Sequence, residues 1–250
     1  TASDDSTVKL WDRSGRELQT LEGHSGTVWS VSFSPDGQTL ATASDDRTVK
    51  LWDRSGRELQ TLEGHSGTVR SVSFSPDGQT LATASSDRTV KLWDRSGREL
   101  QTLEGHSGWV LSVSFSPDGQ TLATASDDST AKLWDRSGRE LQTLEGHSGT
   151  VWSVSFSADG QTLASSSGET FSDDSYGGTA IVWNLNLDNL ITKSCDWLND
   201  YMANPATPPE DKALCNDVLS PSSLSTVPTQ SSLASQLKSV WSDIQIWLKG

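Results

Sequence analysis

RSGRELQTLEGHSGTVWSVSFSPDGQTLATASDDRTVKLWD, residues 13–53, decides the fold, because the same 41 letters return almost unchanged at 54–94 and again at 95–135. The pairs Trp11-Asp12, Trp52-Asp53, Trp93-Asp94 and Trp134-Asp135 keep the 41-residue step. A degenerate copy, Trp183-Asn184, follows 49 residues later, so the last unit carries an eight-residue insertion. Gly23-His24, Gly64-His65, Gly105-His106 and Gly146-His147 hold the same period. So do the Ser-Pro-Asp-Gly stretches at 34–37, 75–78 and 116–119, with Ala158 replacing proline in the fourth. Landmarks in register at one period define an internal repeat, and the repeat sets the architecture.

One unit reads as four short strands. Val28 to Phe33 runs into Pro35-Asp36-Gly37, where proline presets φ and glycine accepts a positive one, so the chain reverses. Leu40 to Ser44 returns as a strand of small residues suited to close sheet packing. Asp45-Asp46-Arg47 then turns into Val49 to Trp52, whose alternation gives one buried and one exposed face, and Ser55-Gly56 turns into Glu58 to Leu62. Four antiparallel strands in about 40 residues describe a propeller blade rather than a solenoid turn.

The repeated Gly-His, Ser-Pro-Asp-Gly and Trp-Asp landmarks closely resemble the WD40-repeat family of β-propellers over roughly Thr1 to Asn184. The expected fold is all-β: about five blade units, the first partial, forming an arc of a larger ring, with a short C-terminal α-helical tail. The expected blades cover 1–22, 23–63, 64–104, 105–145 and 146–186. The resemblance implies a hydrogen-bonded tetrad in each blade: His24, Ser44, Asp46 and Trp52; His65, Ser85, Asp87 and Trp93; His106, Ser126, Asp128 and Trp134. The opening fragment keeps Ser3, Asp5 and Trp11. The last blade keeps His147, Ser167 and Trp183, with its acid displaced by the insertion at about 168–175, where Asp173 or Asp174 is the substitute.

A Ser-His-Asp set is also the logic of a base-activated nucleophile. Recurrence argues against that role, since an active site is needed once whereas the set returns in every intact blade. No G-x-S-x-G elbow and no G-x-x-x-x-G-K-[ST] phosphate loop occur. The His residues stand 41 apart, which opposes a shared metal site. The expectation is a non-enzyme with no catalytic residues, no metal and no cofactor. Arg13, Arg16, Arg54 and Arg57 flank outer turns as solvated charges paired locally with Glu17 or Asp53.

Function is read where the units differ. Only five columns of the 41 vary among the three intact units: Thr27, Thr68 and Trp109; Trp29, Arg70 and Leu111; Asp45, Ser86 and Asp127; Arg47, Arg88 and Ser129; and Val49, Val90 and Ala131. The fourth unit places Thr150 and Trp152 in the first two columns. The first pair of columns opens strand one and the second flanks the turn between strands two and three, so all four meet at one end of the blade. Neutral drift scatters over exposed turns such as Arg54-Ser55-Gly56-Arg57, and those do not change. Thr27, Trp29, Asp45, Arg47, Thr68, Arg70, Ser86, Arg88, Trp109, Leu111, Asp127, Ser129 and Trp152 therefore form the candidate rim for a protein partner or ligand, with Trp and Arg as its natural anchors. The competing expectation is a structural scaffold that self-associates to close a ring.

Composition bounds the partners. Among 250 residues, 19 Lys+Arg against 33 Asp+Glu give a net charge of −14, which opposes nucleic acid and anionic membranes. No apolar run reaches 18 residues, so no membrane span is expected. Cys195 and Cys215 are too few for a disulfide framework, and a cytoplasmic setting follows. The opening at Thr1 falls in mid-pattern, the reading of a piece of a longer chain. After the repeats, 187–219 reads as a helical hairpin, 220–232 as a Ser/Pro-rich linker and 233–250 as an amphipathic helix. Cys195 to Leu198 and Asp211 to Cys215 resemble the C-terminal ends of WD40-bearing bacterial signal-transduction NTPases of the NACHT/STAND type. That resemblance implies a sensor module attached to an upstream switch.

Overall fold

The structure, a computed structural model, describes residues 1–170 and 176–186. The expected tail elements and Asp173 and Asp174 lie outside the described residues. The strands follow the repeat. β1 (Val8–Trp11) and β2 (Glu17–Leu21) form a two-stranded sheet, extended by a bridge from Ala2 to Val8. β3 (Val28–Phe33), β4 (Thr39–Ser44), β5 (Val49–Asp53) and β6 (Glu58–Leu62) form the first four-stranded antiparallel sheet. β7 (Val69–Phe74), β8 (Thr80–Ser85), β9 (Val90–Asp94) and β10 (Glu99–Leu103) form the second. β11 (Val110–Phe115), β12 (Thr121–Ser126), β13 (Ala131–Asp135) and β14 (Glu140–Leu144) form the third. β15 (Thr150–Phe156), β16 (Thr162–Thr170) and β17 (Tyr176–Asn184) close the series as a three-stranded sheet. We call these units the partial blade and blades one to four.

The turns have the chemistry that their residues dictate. Gly37 sits at φ 66° and its amide donates to Ser34 O at 2.8 Å, so a side chain there is strained and the hairpin closes tightly. Asp36 Oδ1 fixes the same turn by accepting from Ser34 Oγ and the Gln38 amide.

The core lies between blades, not within them. Ala41, Ala43 and Leu51 of blade one pack with Val69, Val72 and Trp93 of blade two, with Phe74 against them, and the next joints repeat the arrangement. Ala41 and Ala43 are fully buried: a methyl in strand two lets the neighbouring inner strand approach closely, which a larger side chain prevents. Inner strands also bond sideways, the Val72 amide to Ser30 Oγ and the Val113 amide to Ser71 Oγ, each at 3.3 Å. Phe33 is 57% exposed, whereas its copies Phe74 and Phe115 pack against the preceding blade.

Candidate functional site

Within each intact blade a polar chain is buried behind the rim. Trp52 Nε1 donates to Thr42 Oγ1 at 2.9 Å, that hydroxyl meets His24 Nε2 at 2.7 Å, and His24 Nδ1 meets Asp46 Oδ2 at 2.8 Å. The same bonds run through Trp93, Thr83, His65 and Asp87, and through Trp134, Thr124, His106 and Asp128. The middle hydroxyl is therefore Thr42, Thr83 or Thr124, and this corrects the expected Ser44, Ser85 and Ser126. Register explains the difference. Trp52 stands opposite Leu40 and Thr42 opposite Lys50, so indole and hydroxyl are diagonal neighbours on one face. Ser44 is four residues beyond Leu40, about 13 Å along the strand and out of the indole's reach. It acts locally instead, donating to Gly26 O and accepting from the Asp46 amide. In the partial blade Thr1 takes the same place, accepting from Trp11 Nε1 at 3.1 Å.

The chain is electrostatically consistent with a neutral imidazole between an indole-bound hydroxyl and a carboxylate. Burial is the largest influence on Asp46 and opposes its ionisation. Hydrogen bonds from Thr48 and His24 and from the Ser25 and Thr48 amides outweigh it and lower its pKa to about 2. Asp87 and Asp128 are held well below the usual carboxylate range by the same balance. Burial pushes His24 down, against the pull of Asp46. Thr42, Thr83 and Thr124 are fully buried, so no substrate carbonyl reaches those hydroxyls and the arrangement works as an internal brace.

The last blade departs from the pattern. His147 Nε2 meets Ser165 Oγ at 2.6 Å and Trp183 Nε1 donates to the same hydroxyl at 2.7 Å, so Ser165, not the expected Ser167, is the middle group. His147 Nδ1 is buried without a partner among the described residues, and burial lowers the pKa of that imidazole. Pairing of β16 with β17 continues past Ser167 to Thr170 and Tyr176. In blade one the chain turns directly after Ser44 and brings Asp46 to His24, whereas here the strand continues beyond Ser167.

The rim takes its shape from a bulge. In blade one Val28 pairs with Ser44 and Ser30 with Ala43, which leaves Trp29 as an extra residue outside the ladder. Arg70, Leu111 and Trp152 are the extra residues of the other blades. A bulge frees its side chain from the pleat and re-aims it, which is why one position accepts Trp, Arg and Leu on the same backbone. Nothing in the sequence marks a bulge here except the variability itself. In the turn opposite, Arg47, Arg88 and Ser129 hold φ of 69°, 72° and 67°. The fifth variable column, Val49, Val90 and Ala131, is fully buried and belongs to the core rather than the rim.

Two of the variable columns are the ends of one contact. Thr27 Oγ1 donates to Asp4 Oδ1, Thr68 Oγ1 to Asp45 Oδ1 and Thr150 Oγ1 to Asp127 Oδ1, each at 2.5–2.7 Å and each bridging neighbouring blades. At the joint between blades two and three both ends have changed together, to Ser86 and Trp109. Ser86 Oγ accepts instead from Arg70 Nε at 3.2 Å. Arg70 Cζ then lies 4.2 Å from the Trp29 ring centroid and 5.9 Å from that of Trp109, within cation–π range of both. Trp29, Trp109 and Trp152 are 47%, 51% and 58% exposed. The structure thus brings Trp29, Arg70, Ser86 and Trp109 from three blades into one cluster, and makes Thr27, Thr68, Asp45 and Asp127 latches. Among the described residues no side-chain bond draws in Leu111.

The opposite end of the blades is occupied by paired charges. Arg57 Nε meets Asp53 Oδ2 at 3.1 Å as expected, but Glu17 pairs with Lys9 rather than with an arginine. Arg95 bridges to Asp36 and Arg136 to Asp77 across blades; exposed pairs of this kind contribute little stability. Among the described residues no three His, Cys, Asp or Glu gather as a metal requires, and no helix is long and apolar enough to cross a membrane.

A repeated four-stranded antiparallel unit with a buried Trp-Thr-His-Asp chain defines a class of propeller-blade protein. The family model described as WD domain, G-beta repeat matches residues 15–53, 56–94, 97–135 and 138–184, and the chain belongs to the WD40 family. Comparison with curated proteins gave no match. The family match covers the repeats alone and gives no support to the NTPase resemblance of the tail.

Proposed function

We propose that the repeat module is a non-catalytic, cofactor-free scaffold that captures a protein partner on the rim carrying Trp29, Arg70 and Trp109. The observation that carries this reading is convergence: three residues that differ from blade to blade, on three successive blades, meet at the surface, with Arg70 within cation–π range of both indoles. Neutral drift gives no reason for such a meeting, and Trp and Arg are the residue types that most often dominate binding energy. Quantitative affinity capture from source extract tests it, comparing the chain with Trp29→Ala, Arg70→Ala, Trp109→Ala combined. At least one protein retained by the parent is lost by the variant, at unchanged circular dichroism and melting temperature. An identical set of captured proteins rejects the rim. A role as the sensor of a larger cytoplasmic signalling NTPase rests only on the likeness of the tail at 195–198 and 211–215.

A further inference from the structure

The geometry points to a carboxylate-recognition site at the joint between blades two and three, in which Arg70 takes an Asp or Glu side chain of a partner's peptide segment; this rests on the rim reading above. The other three joints each carry an acid on the rim, Asp4, Asp45 and Asp127, held by a threonine of the next blade. Here alone the acid is serine. Ser86 Oγ accepts from Arg70 Nε as an aspartate would, so it orients the guanidinium, but it brings no charge to neutralise it. Arg70 makes no ion pair among the described residues. Asp45, at the neighbouring joint, uses Oδ1 to accept from Thr68 Oγ1 at 2.7 Å and from Trp29 Nε1 at 3.4 Å.

The Trp29 ring lies 4.2 Å and the Trp109 ring 5.9 Å from the guanidinium carbon, and Ser86 holds its Nε, which leaves the edge formed by the two terminal nitrogens without a protein partner among the described residues. That edge presents two parallel N–H donors, the pattern that matches a carboxylate's two oxygens. Arg88 follows in the same turn, exposed and without an ion pair among the described residues, and places a second guanidinium on this stretch of rim. The exposed parts of Trp29 and Trp109 beside the guanidinium offer apolar seats for the residues next to the acid. Charge and shape together favour an acidic segment of protein over a neutral or basic one.

The substitution that tests this is Ser86→Asp. The backbone already accepts aspartate here, because Asp45 and Ser86 make the same amide bond, to Thr27 O and Thr68 O, each at 2.9 Å. The introduced carboxylate pairs with Arg70 internally and competes with any external one. The probe is a random heptapeptide library displayed at the amino terminus of a phage coat protein, selected on the 250-residue chain. Selected sequences are expected to be enriched in Asp and Glu. The strongest, synthesised with a fluorescein label, is expected to bind Ser86→Asp at least about tenfold more weakly by anisotropy, while Ser86→Ala keeps the acid preference. Selection without acidic enrichment, or a peptide that binds Ser86→Asp as well as the parent, overturns the inference. If such acid-free peptides are still lost on Trp29→Ala and Trp109→Ala, the rim remains the docking surface and only its proposed chemistry fails. If those variants also bind normally, the rim reading fails with it.

Discussion

Thr83→Val lowers the stability of the repeat module by about 3–5 kcal/mol, because it removes the one hydroxyl shared by two buried partners and leaves each unpaired at about 1–3 kcal/mol. Trp93 Nε1 loses its acceptor at 2.9 Å and His65 Nε2 its neighbour at 2.8 Å. Valine fills nearly the same volume, so the loss is polar and not a cavity effect. Ser85→Ala, two residues on and also fully buried, releases only the Asp87 amide and the Gly67 carbonyl and costs about 1–2 kcal/mol. Urea unfolding of the two variants separates them. If Ser85→Ala proves the more damaging, the brace is centred on serine and the assignment made here is wrong.

Gly108→Ala is the second large effect, about 3 kcal/mol, at the upper end of the usual range for overpacking. A Cβ there meets the Asp128 amide nitrogen at 2.6 Å and the Asp127 carbonyl carbon at 2.9 Å, both backbone atoms of the turn that faces it. Neither swings aside as a side chain does, so the loop before β11 and the turn must part. The turn carries Asp128, which holds His106, and Asp127, which latches Thr150, so the strain reaches the brace and the rim together. Thermal unfolding is expected to fall by about 6–12 °C for a module of this size. A melting temperature within two degrees of the parent rules out the close approach.

Most of the fold was legible because the repeat states it several times. The Trp-Asp, Gly-His and Pro-Asp-Gly landmarks fix the strands to within a residue, and the placing of the variable columns at one end of the blade agrees with the turns observed. Side-chain choice was less legible. Thr42 and Ser44 are both small, both hydroxylated and on one face of the same strand, so alternation does not distinguish them. Only the diagonal reach of Trp52 does, and that depends on register between strands. The Trp29–Arg70–Trp109 cluster was hidden for a related reason. A bulge leaves no signature in the letters, and the pairing of Asp45 with Thr68 spans two blades, so columns that look independent in the sequence are one contact in space. The departure of the last blade follows from its insertion, which breaks the period just where the period was the guide, and His147 Nδ1 is left without a partner among the described residues.

The bulge at Trp29, Arg70, Leu111 and Trp152 has an evolutionary consequence. A residue outside the ladder contributes little to cohesion between strands, so its identity is nearly neutral for folding while fully visible to whatever approaches the surface. Mutation at these addresses alters recognition without passing through unstable intermediates. Duplicating such a unit adds another address to the surface, already foldable and free to diverge. The sameness of the rest of each unit and the freedom of these positions are thus two sides of one arrangement, in which stability and specificity are inherited separately.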